Sequence, residues 1–460
     1  MVLQRLVGNI PFRWIFYWLV LPNLAVIAMW PIGGPPMSQP LMLSGLLGLA
    51  LSQLPWRPVK IAGVAALTLT ILAFYICRVF SIPLLDFALF RQFLSDVRPM
   101  QSPEYLVAGV LMTGVVALAV WRAPRVPRFS TPLSYMIAVL AIMGLMITDS
   151  KVTANSANHF AVDPRSIQKD SAVAQVGLSP EKDRPHHVLV ILVEALGQPA
   201  APEEQAMLDA DWDRPEWRAR YDVQRGVSRY WGPTIYGEMR ELCGYWDHYS
   251  TVDFAKADCL PEKFLNAGYE TTAIHSFFGN MFERNKWYPK LHFQNTEFAE
   301  TLKPQHVRTC GGVFPGACDS DVAPIIGRRL AEAKKPQFVY WLTLNSHLPI
   351  TADVAQNTAA CRIGPAQWRD DFPALCRLYQ LHHELANAVS SMIMAPGMPP
   401  TDILIVGDHR PPFFDRASRK RFQPNRVPWI YLRARDGGAP DMQKPAPSGT
   451  GSAKATIAAR

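Results

Sequence analysis

The chain has 460 residues, of which 49% are hydrophobic and only 18% charged, with a formal net charge of +8. It is too long for one ordinary domain and too apolar for a disordered chain. Its positive excess needs no nucleic acid to account for it, because the basic residues fall in short clusters between apolar runs and just beyond residue 408.

Residues 1–149 carry five apolar stretches, roughly 14–30, 37–56, 61–77, 105–121 and 133–148. Each approaches the ~20 residues needed to cross a bilayer. Arg5 and Arg13 precede the first stretch, Arg57 and Lys60 separate the second from the third, and Arg122, Arg125 and Arg128 separate the fourth from the fifth. The alternate loops are uncharged or balanced. Basic loops stay on the cytoplasmic side, so the N-terminus is expected inside. Five crossings of a multi-pass membrane protein then put everything after Asp149 outside the cytoplasm. A removable signal peptide is not expected, since further spans follow the first stretch. In the loop at 79–100, Ile82–Phe90 reads either as a piece lying along the membrane surface or as an ordinary connector.

Residues 150–184 are polar and read as a linker, and 185–434 as an exported catalytic domain. The stretch 435–460, rich in Gly, Pro, Ala, Ser and Lys, reads as a disordered tail. Within the domain, strand-like runs recur at His187–Val193, Thr271–His275, Phe338–Leu344, Ile403–Val406 and Val427–Leu432. Helical patterns separate them, notably Asp319–Ala333 and Ala374–Met394. Such alternation predicts an α/β fold around a mostly parallel, doubly wound sheet.

Two of these runs stop abruptly at candidate ligands. Val188–Val193 ends at Glu194, and Ile403–Gly407 ends at Asp408-His409. In open α/β sheets, ligands bind beyond the carboxyl ends of the strands. The three residues are therefore expected in one crevice, where two carboxylates and an imidazole suit a divalent cation. Singly, each reads as a surface residue. Between them, Gly232-Pro-Thr234 opens a helix-compatible run, with Thr234 at or next to the N-cap. Alone it reads as a cap. Beside a cation held by the other three it reads as a nucleophile.

Six cysteines fall in the distal half as near neighbours: Cys243 and Cys259, Cys310 and Cys318, Cys361 and Cys376. An even set outside the cytoplasm reads as a disulfide framework. Spacing does not fix connectivity; nearest-neighbour pairing is the simplest, and no Cys-x-x-Cys spacing supports a zinc site. Cys259-Leu-Pro-Glu-Lys263 falls short of the Cys-x-Pro-x-Arg of a formylglycine sulfatase. His382-His383-Glu384 reads as the exposed polar face of a helix, and Arg416–Arg421 as a basic rim or a solvated loop.

The ordered set Glu194, Thr234, Asp408, His409 resembles the alkaline-phosphatase superfamily, in its branch of membrane-anchored phosphoglycerol and phosphoethanolamine transferases. Gly232-x-Thr234-x-x-x-Glu238 is similar to the nucleophile motif of lipoteichoic acid synthases. Thr234-Ile235-x-Gly237 with Cys243-Gly244 and Cys259 resembles the phosphoglycerol transferase of periplasmic glucans. Leu342–Pro349, with His347, and His275–Arg284, with Phe282 and Arg284, resemble the family's substrate-holding segments. The resemblance implies one divalent cation, Mn²⁺ or Zn²⁺, on Glu194, Thr234, Asp408 and His409. Headgroup contacts are implied at His347, Phe282 and Arg284, with His347 also as acid for the leaving group. The implied activity moves phosphoglycerol from a membrane phospholipid donor, through phosphothreonine, to a hydroxyl of a glycan or lipid acceptor. Phosphoethanolamine transfer, ester hydrolysis and a catalytically silent scaffold are the alternatives.

Overall fold

The computed structural model describes residues 10–32, 34–79, 103–153, 170–181, 186–245, 247–413 and 416–435. The expected surface piece at 82–90 and the tail 436–460 lie outside the described residues.

The proximal apolar runs fold as helices, since an apolar environment leaves backbone groups no partner except one another. These are α1 (Ser38–Ser52), α2 (Arg57–Val79), α3 (Pro103–Arg122) and α4 (Pro132–Val152). Among the described residues, three segments are long and apolar enough to cross a membrane: Arg57–Val79, Glu104–Arg125 and Pro132–Val152. Helix α1 is shorter, at 15 residues. The first expected span is broken into an α-helical start at Phe12–Trp14, a π-helix at Ile15–Val20 and a separate helix at Leu24–Met29. At the break, the Asn23 side-chain amide donates to the Leu19 carbonyl at 2.6 Å. Helix length by itself supports three of the five expected crossings among the described residues. Val110 and Leu111, 74% and 64% exposed, turn an aliphatic face outward as lipid contact requires. The carboxylate of Asp149 is buried and accepts from Trp30, the Met37 amide and Ser38, tying α4 to the start of α1.

The distal half is built on a seven-stranded sheet of order β2-β9-β8-β1-β7-β3-β4. Its strands are β1 (His187–Val193), β2 (Tyr221–Arg229), β3 (Glu270–His275), β4 (Asn295–Glu297), β7 (Gln337–Leu342), β8 (Thr401–Gly407) and β9 (Arg426–Ala434). A separate two-stranded ribbon pairs β5 (Thr309–Cys310) with β6 (Gly316–Ala317). Strands β8, β1, β7, β3 and β4 run parallel, and β9 and β2 close one edge antiparallel. Runs such as Val188–Val193 are apolar throughout because both faces are covered. On one face, Leu189, Ile191 and Ile403 pack against Leu208, Val322 and Leu385. These come from α6 (Pro202–Trp212), α8 (Asp319–Glu332) and α9 (Pro373–Ile393). On the other, Val190, Leu192 and Leu404 meet Met239 and Leu242 of α7 (Thr234–Cys243).

Three features depart from the expectation. Strand β2 gave no strand signal because, at the sheet edge, much of Tyr221–Arg229 is solvated. Strand β4 has only three residues. Part of the expected linker is docked on the domain: in the helical turn α5 (Ala172–Val176), the amides of Ala172 and Val173 donate to Glu241. The disulfides join Cys243 to Cys259, Cys310 to Cys318 and Cys361 to Cys376. The end of α2 and the start of α3 touch the domain, where Ile76, Cys77 and Tyr105 share an apolar cluster with Phe277, Met281, Phe314 and Leu344.

Candidate active site

Parallel strands deliver the site. Paired in register up to Val193 and Gly407, β1 and β8 end side by side and release Glu194 and Asp408 into one crevice. The chain turns sharply there: Ala195 takes a left-handed φ of 55°, a conformation costly for a residue with a side chain. Helix α7 starts over the same point, with Pro233 as its N-cap and Thr234 as its first residue. Gly237 permits the approach, because a Cβ there would lie 3.1 Å from the Asp408 Cβ.

The Thr234 hydroxyl lies 3.0 Å from Glu194 Oε2, to which it donates, and 3.3 Å from His409 Nε2. It therefore faces the crevice, which a plain cap would not do. His409 Nε2 is also 3.3 Å from Asp408 Oδ2 and 3.5 Å from Glu194 Oε1. Its Nδ1 sits 3.0 Å from the Arg410 carbonyl, which fixes the proton there and turns the basic Nε2 toward the carboxylates. Asp408 Oδ1 accepts from the amides of Ala195 and His409.

Glu194 Oε1 and Asp408 Oδ2 remain as buried oxygens with no hydrogen-bond partner. One such atom costs about 1–3 kcal/mol, more when charged. Burial first, and then the charge of Asp408, push the Glu194 carboxyl well above the usual carboxylate range. Ligand atoms of Glu194, Asp408 and His409 lie within 4.8 Å of one another. Orphaned oxygens beside an imidazole nitrogen turned toward them are a donor set that fits a divalent cation.

The remaining expected residues stand around this centre in different ways. His347 follows β7; its ring packs 4.1 Å from that of Phe314, and its Nδ1 is 2.8 Å from the Leu348 carbonyl. Burial, and then His409, lower its pKa to about 4, so it is neutral near pH 7. Such a group is suited to hydrogen bonding rather than to proton donation. Phe282 and Glu283 are consecutive left-handed residues, with φ of 53° and 54°, and the Arg284 guanidinium lies 5.4 Å from the Phe282 ring. Arg284 itself is committed elsewhere. It is 3% exposed and grips Glu238 through Nε and Nη2, the latter at 2.7 Å, while Tyr288 donates to the same carboxylate. The charge of Arg284 acts on Glu194, holding that carboxyl's pKa lower than burial alone would.

Several supporting residues escaped the sequence reading. Arg240, 1% exposed, donates to the carbonyls of Gly407 and Asp408, fixing the β8 exit. Asp319 accepts from Ser276 and from the amides of Leu344 and Asn345, joining the β3 and β7 exit loops. Ser346 donates to the Glu194 carbonyl at 2.6 Å. His382 was read as exposed but is buried, with Nε2 3.2 Å from the Glu194 carbonyl, because that face of α9 packs under the crevice. Its neighbour His383 pairs with Asp211. The expected basic rim is partly spent, since Arg421 pairs with Glu204 and lies over the Phe372 ring.

The sulfatase family model matches residues 240–427, a stretch that includes Arg284, His347, Asp408 and His409 and begins within α7. The resemblance to sulfatase-like enzymes drawn from the motifs is met over that stretch. No curated protein matches the chain. Solved structures similar to it include the lipoteichoic acid synthase LtaP from Listeria monocytogenes, 13% identical, covering 59% of this chain and 72% of that one with a TM-score of 0.42. Another is the Streptococcus pyogenes phosphoglycerol transferase GacH in complex with sn-glycerol-1-phosphate, 16% identical, covering 58% and 71%, TM-score 0.40. A third is the integral membrane lipooligosaccharide phosphoethanolamine transferase A from Neisseria meningitidis, 13% identical, covering 93% and 88%, TM-score 0.47.

Proposed function

We propose that this chain is a membrane-anchored transferase that moves the phosphorylated headgroup of a phospholipid, most simply phosphoglycerol, through phosphothreonine to a hydroxyl of a cell-envelope glycan or lipid. One observation carries the reading. A hydroxyl at the first turn of a helix points away from the helix and into a buried cluster of two carboxylates and an imidazole. A binding module or scaffold has no use for a hydroxyl in that position.

Glu194, Thr234, Asp408 and His409 would hold one divalent cation, Mn²⁺ or Zn²⁺, which when bound makes the Thr234 hydroxyl more acidic and neutralises phosphoryl oxygens. The Thr234 oxygen attacks phosphorus as its proton passes to Glu194, and the phosphorus–oxygen bond to diacylglycerol breaks as that oxygen takes a proton from water. The start of α7 adds the positive end of a helix dipole where phosphoryl charge gathers. His347, held neutral with its Nδ1–H donating to the Leu348 carbonyl, turns Nε2 to accept a hydrogen bond from a hydroxyl of the headgroup. Arg284 sets the shape and potential of the pocket through Glu238 instead of touching phosphate. An acceptor hydroxyl then attacks phosphothreonine and releases the threonine oxygen. The anchor has a physical purpose in this scheme, since the donor is embedded in the bilayer. The proposed topology has the N-terminus inside, five crossings and the domain on the periplasmic side. It counts the broken segment Phe12–Met29 and the short α1 as crossings.

The test is diacylglycerol release from phosphatidylglycerol vesicles by the purified protein. Thr234→Ala should lower the rate by roughly a thousandfold or more, and Thr234→Ser should restore part of it. Near wild-type turnover by Thr234→Ala would return Thr234 to a structural role. The mass added to the Thr234 peptide tells glycerol phosphate from ethanolamine phosphate.

A further inference from the structure

We infer that Arg78, at the outer end of α2, is the residue through which the membrane domain grips the phosphodiester of the donor lipid beside Thr234. The inference rests on the proposed transferase reading and assigns to it a recognition element from outside the catalytic domain.

Three observations converge. Arg78 stands at the end of α2 opposite Arg57 and Lys60, the end where basic residues are disfavoured unless they serve a purpose. Its neighbour Cys77 is buried with Phe277, Met281, Phe314 and Leu344, and the Phe314 ring lies 4.1 Å from that of His347. The helix end therefore abuts the wall of the crevice. Finally, Arg78 Nε is buried with no hydrogen-bond partner, and no carboxylate among the described residues pairs with its guanidinium.

The surroundings single it out. Glu104, at the adjoining end of α3, acts on Arg377 of α9. The charge of Arg78 is instead felt at Tyr236, two residues beyond Thr234, against the opposing influence of Asp247. A cation at a helix C-terminus offsets the helix dipole, which accounts for its tolerance there but not for a desolvated, unpaired Nε. A planar fork of donors at the membrane surface matches the oxygens of a phosphodiester. A phospholipid sliding along α2 would thus meet Arg78 before its phosphorus reaches Thr234.

The experiment measures turnover of phosphatidylglycerol diluted in phosphatidylcholine vesicles by full-length protein carrying Arg78→Ala, Arg78→Gln or Arg78→Lys. Arg57→Ala, at the opposite end of the same helix, is the control. Loss of a charge-assisted hydrogen bond should raise KM for the lipid roughly tenfold to hundredfold, with kcat changed little. Arg78→Lys should recover much of the loss, and Arg57→Ala should behave as wild type. Wild-type KM in Arg78→Ala and Arg78→Gln would overturn the inference. So would a fall in kcat at constant KM that lysine does not rescue, because that marks a packing role. Binding of pyrene-labelled phosphatidylglycerol to Thr234→Ala protein, with and without Arg78→Ala, separates the two readings. Binding that is lost with Arg78 supports this inference even if the wild type never turns over. Binding that is kept overturns it even if the transferase reading stands.

Discussion

Glu194 and Glu238 are both buried carboxylates beside Thr234, and their treatment by the fold is opposite. Glu238 accepts from the Arg284 guanidinium and the Tyr288 hydroxyl, so its charge is neutralised within the protein. Glu194 receives one hydroxyl on one oxygen, has no hydrogen bond on the other, and faces a second carboxylate and the imidazole of His409. A folded chain completes its buried polar groups unless something else is to complete them. The first carboxylate is therefore architecture, and the second is an address for a ligand.

Substitution should separate the two most sharply. Glu194→Gln should abolish cation uptake, read by metal analysis, and lower diacylglycerol release by about three orders of magnitude or more. It should leave the cation-free protein as stable as wild type or more so, since the cost of ionising a buried carboxyl is removed. Full metal content in that variant would move the site elsewhere. Glu238→Gln should do the reverse, keeping the four ligands while leaving Arg284 buried without its partner. A loss of about 3–5 kcal/mol in a denaturant titration is expected, and an unchanged midpoint would show that the pair is dispensable.

A smaller effect concerns the floor beneath Glu194. Burial lowers the His382 pKa to about 4, whereas the unfolded chain takes up the proton near 6.5, the ordinary value for histidine. The unfolded state binds more protons across that window, so stability falls as pH drops from 6.5 to 4 and is complete above it. The displacement corresponds to about 3 kcal/mol. His347 titrates with the same sign. Thermal melts of His382→Gln should therefore show a shallower acid loss than wild type; an identical profile would contradict the buried neutral imidazole. Removing the Cys310–Cys318 bridge, which closes an 8-residue separation, should cost about 2.5 kcal/mol. Its effect should be read in stability, since it lies outside the ligand set.

The contrast also explains what could be read from sequence. Glu194, Asp408 and His409 stand where apolar strands end, and Thr234 where a helix begins, so local pattern pointed to all four. The pairing of Glu238 with Arg284 joins positions 46 residues apart, and no local pattern reports it; Arg284 was therefore expected on substrate. His382 carries a polar residue's signal on a helix, yet which face of α9 is covered depends on the crevice above it. Strand β2 was missed because an edge strand keeps charged, solvated residues. The five apolar runs counted crossings by composition, whereas the break at Asn23 and the brevity of α1 are conformational.

The central claim, that Thr234 is the nucleophile of this crevice, is tested most directly by trapping the intermediate. Purified full-length protein is mixed with phosphatidylglycerol vesicles without acceptor, quenched in acid and digested for peptide mass analysis. The account predicts a headgroup phosphate on the peptide carrying Thr234, absent from Glu194→Gln and Thr234→Ala protein. Diacylglycerol release with that peptide unmodified and the adduct on another residue would contradict it.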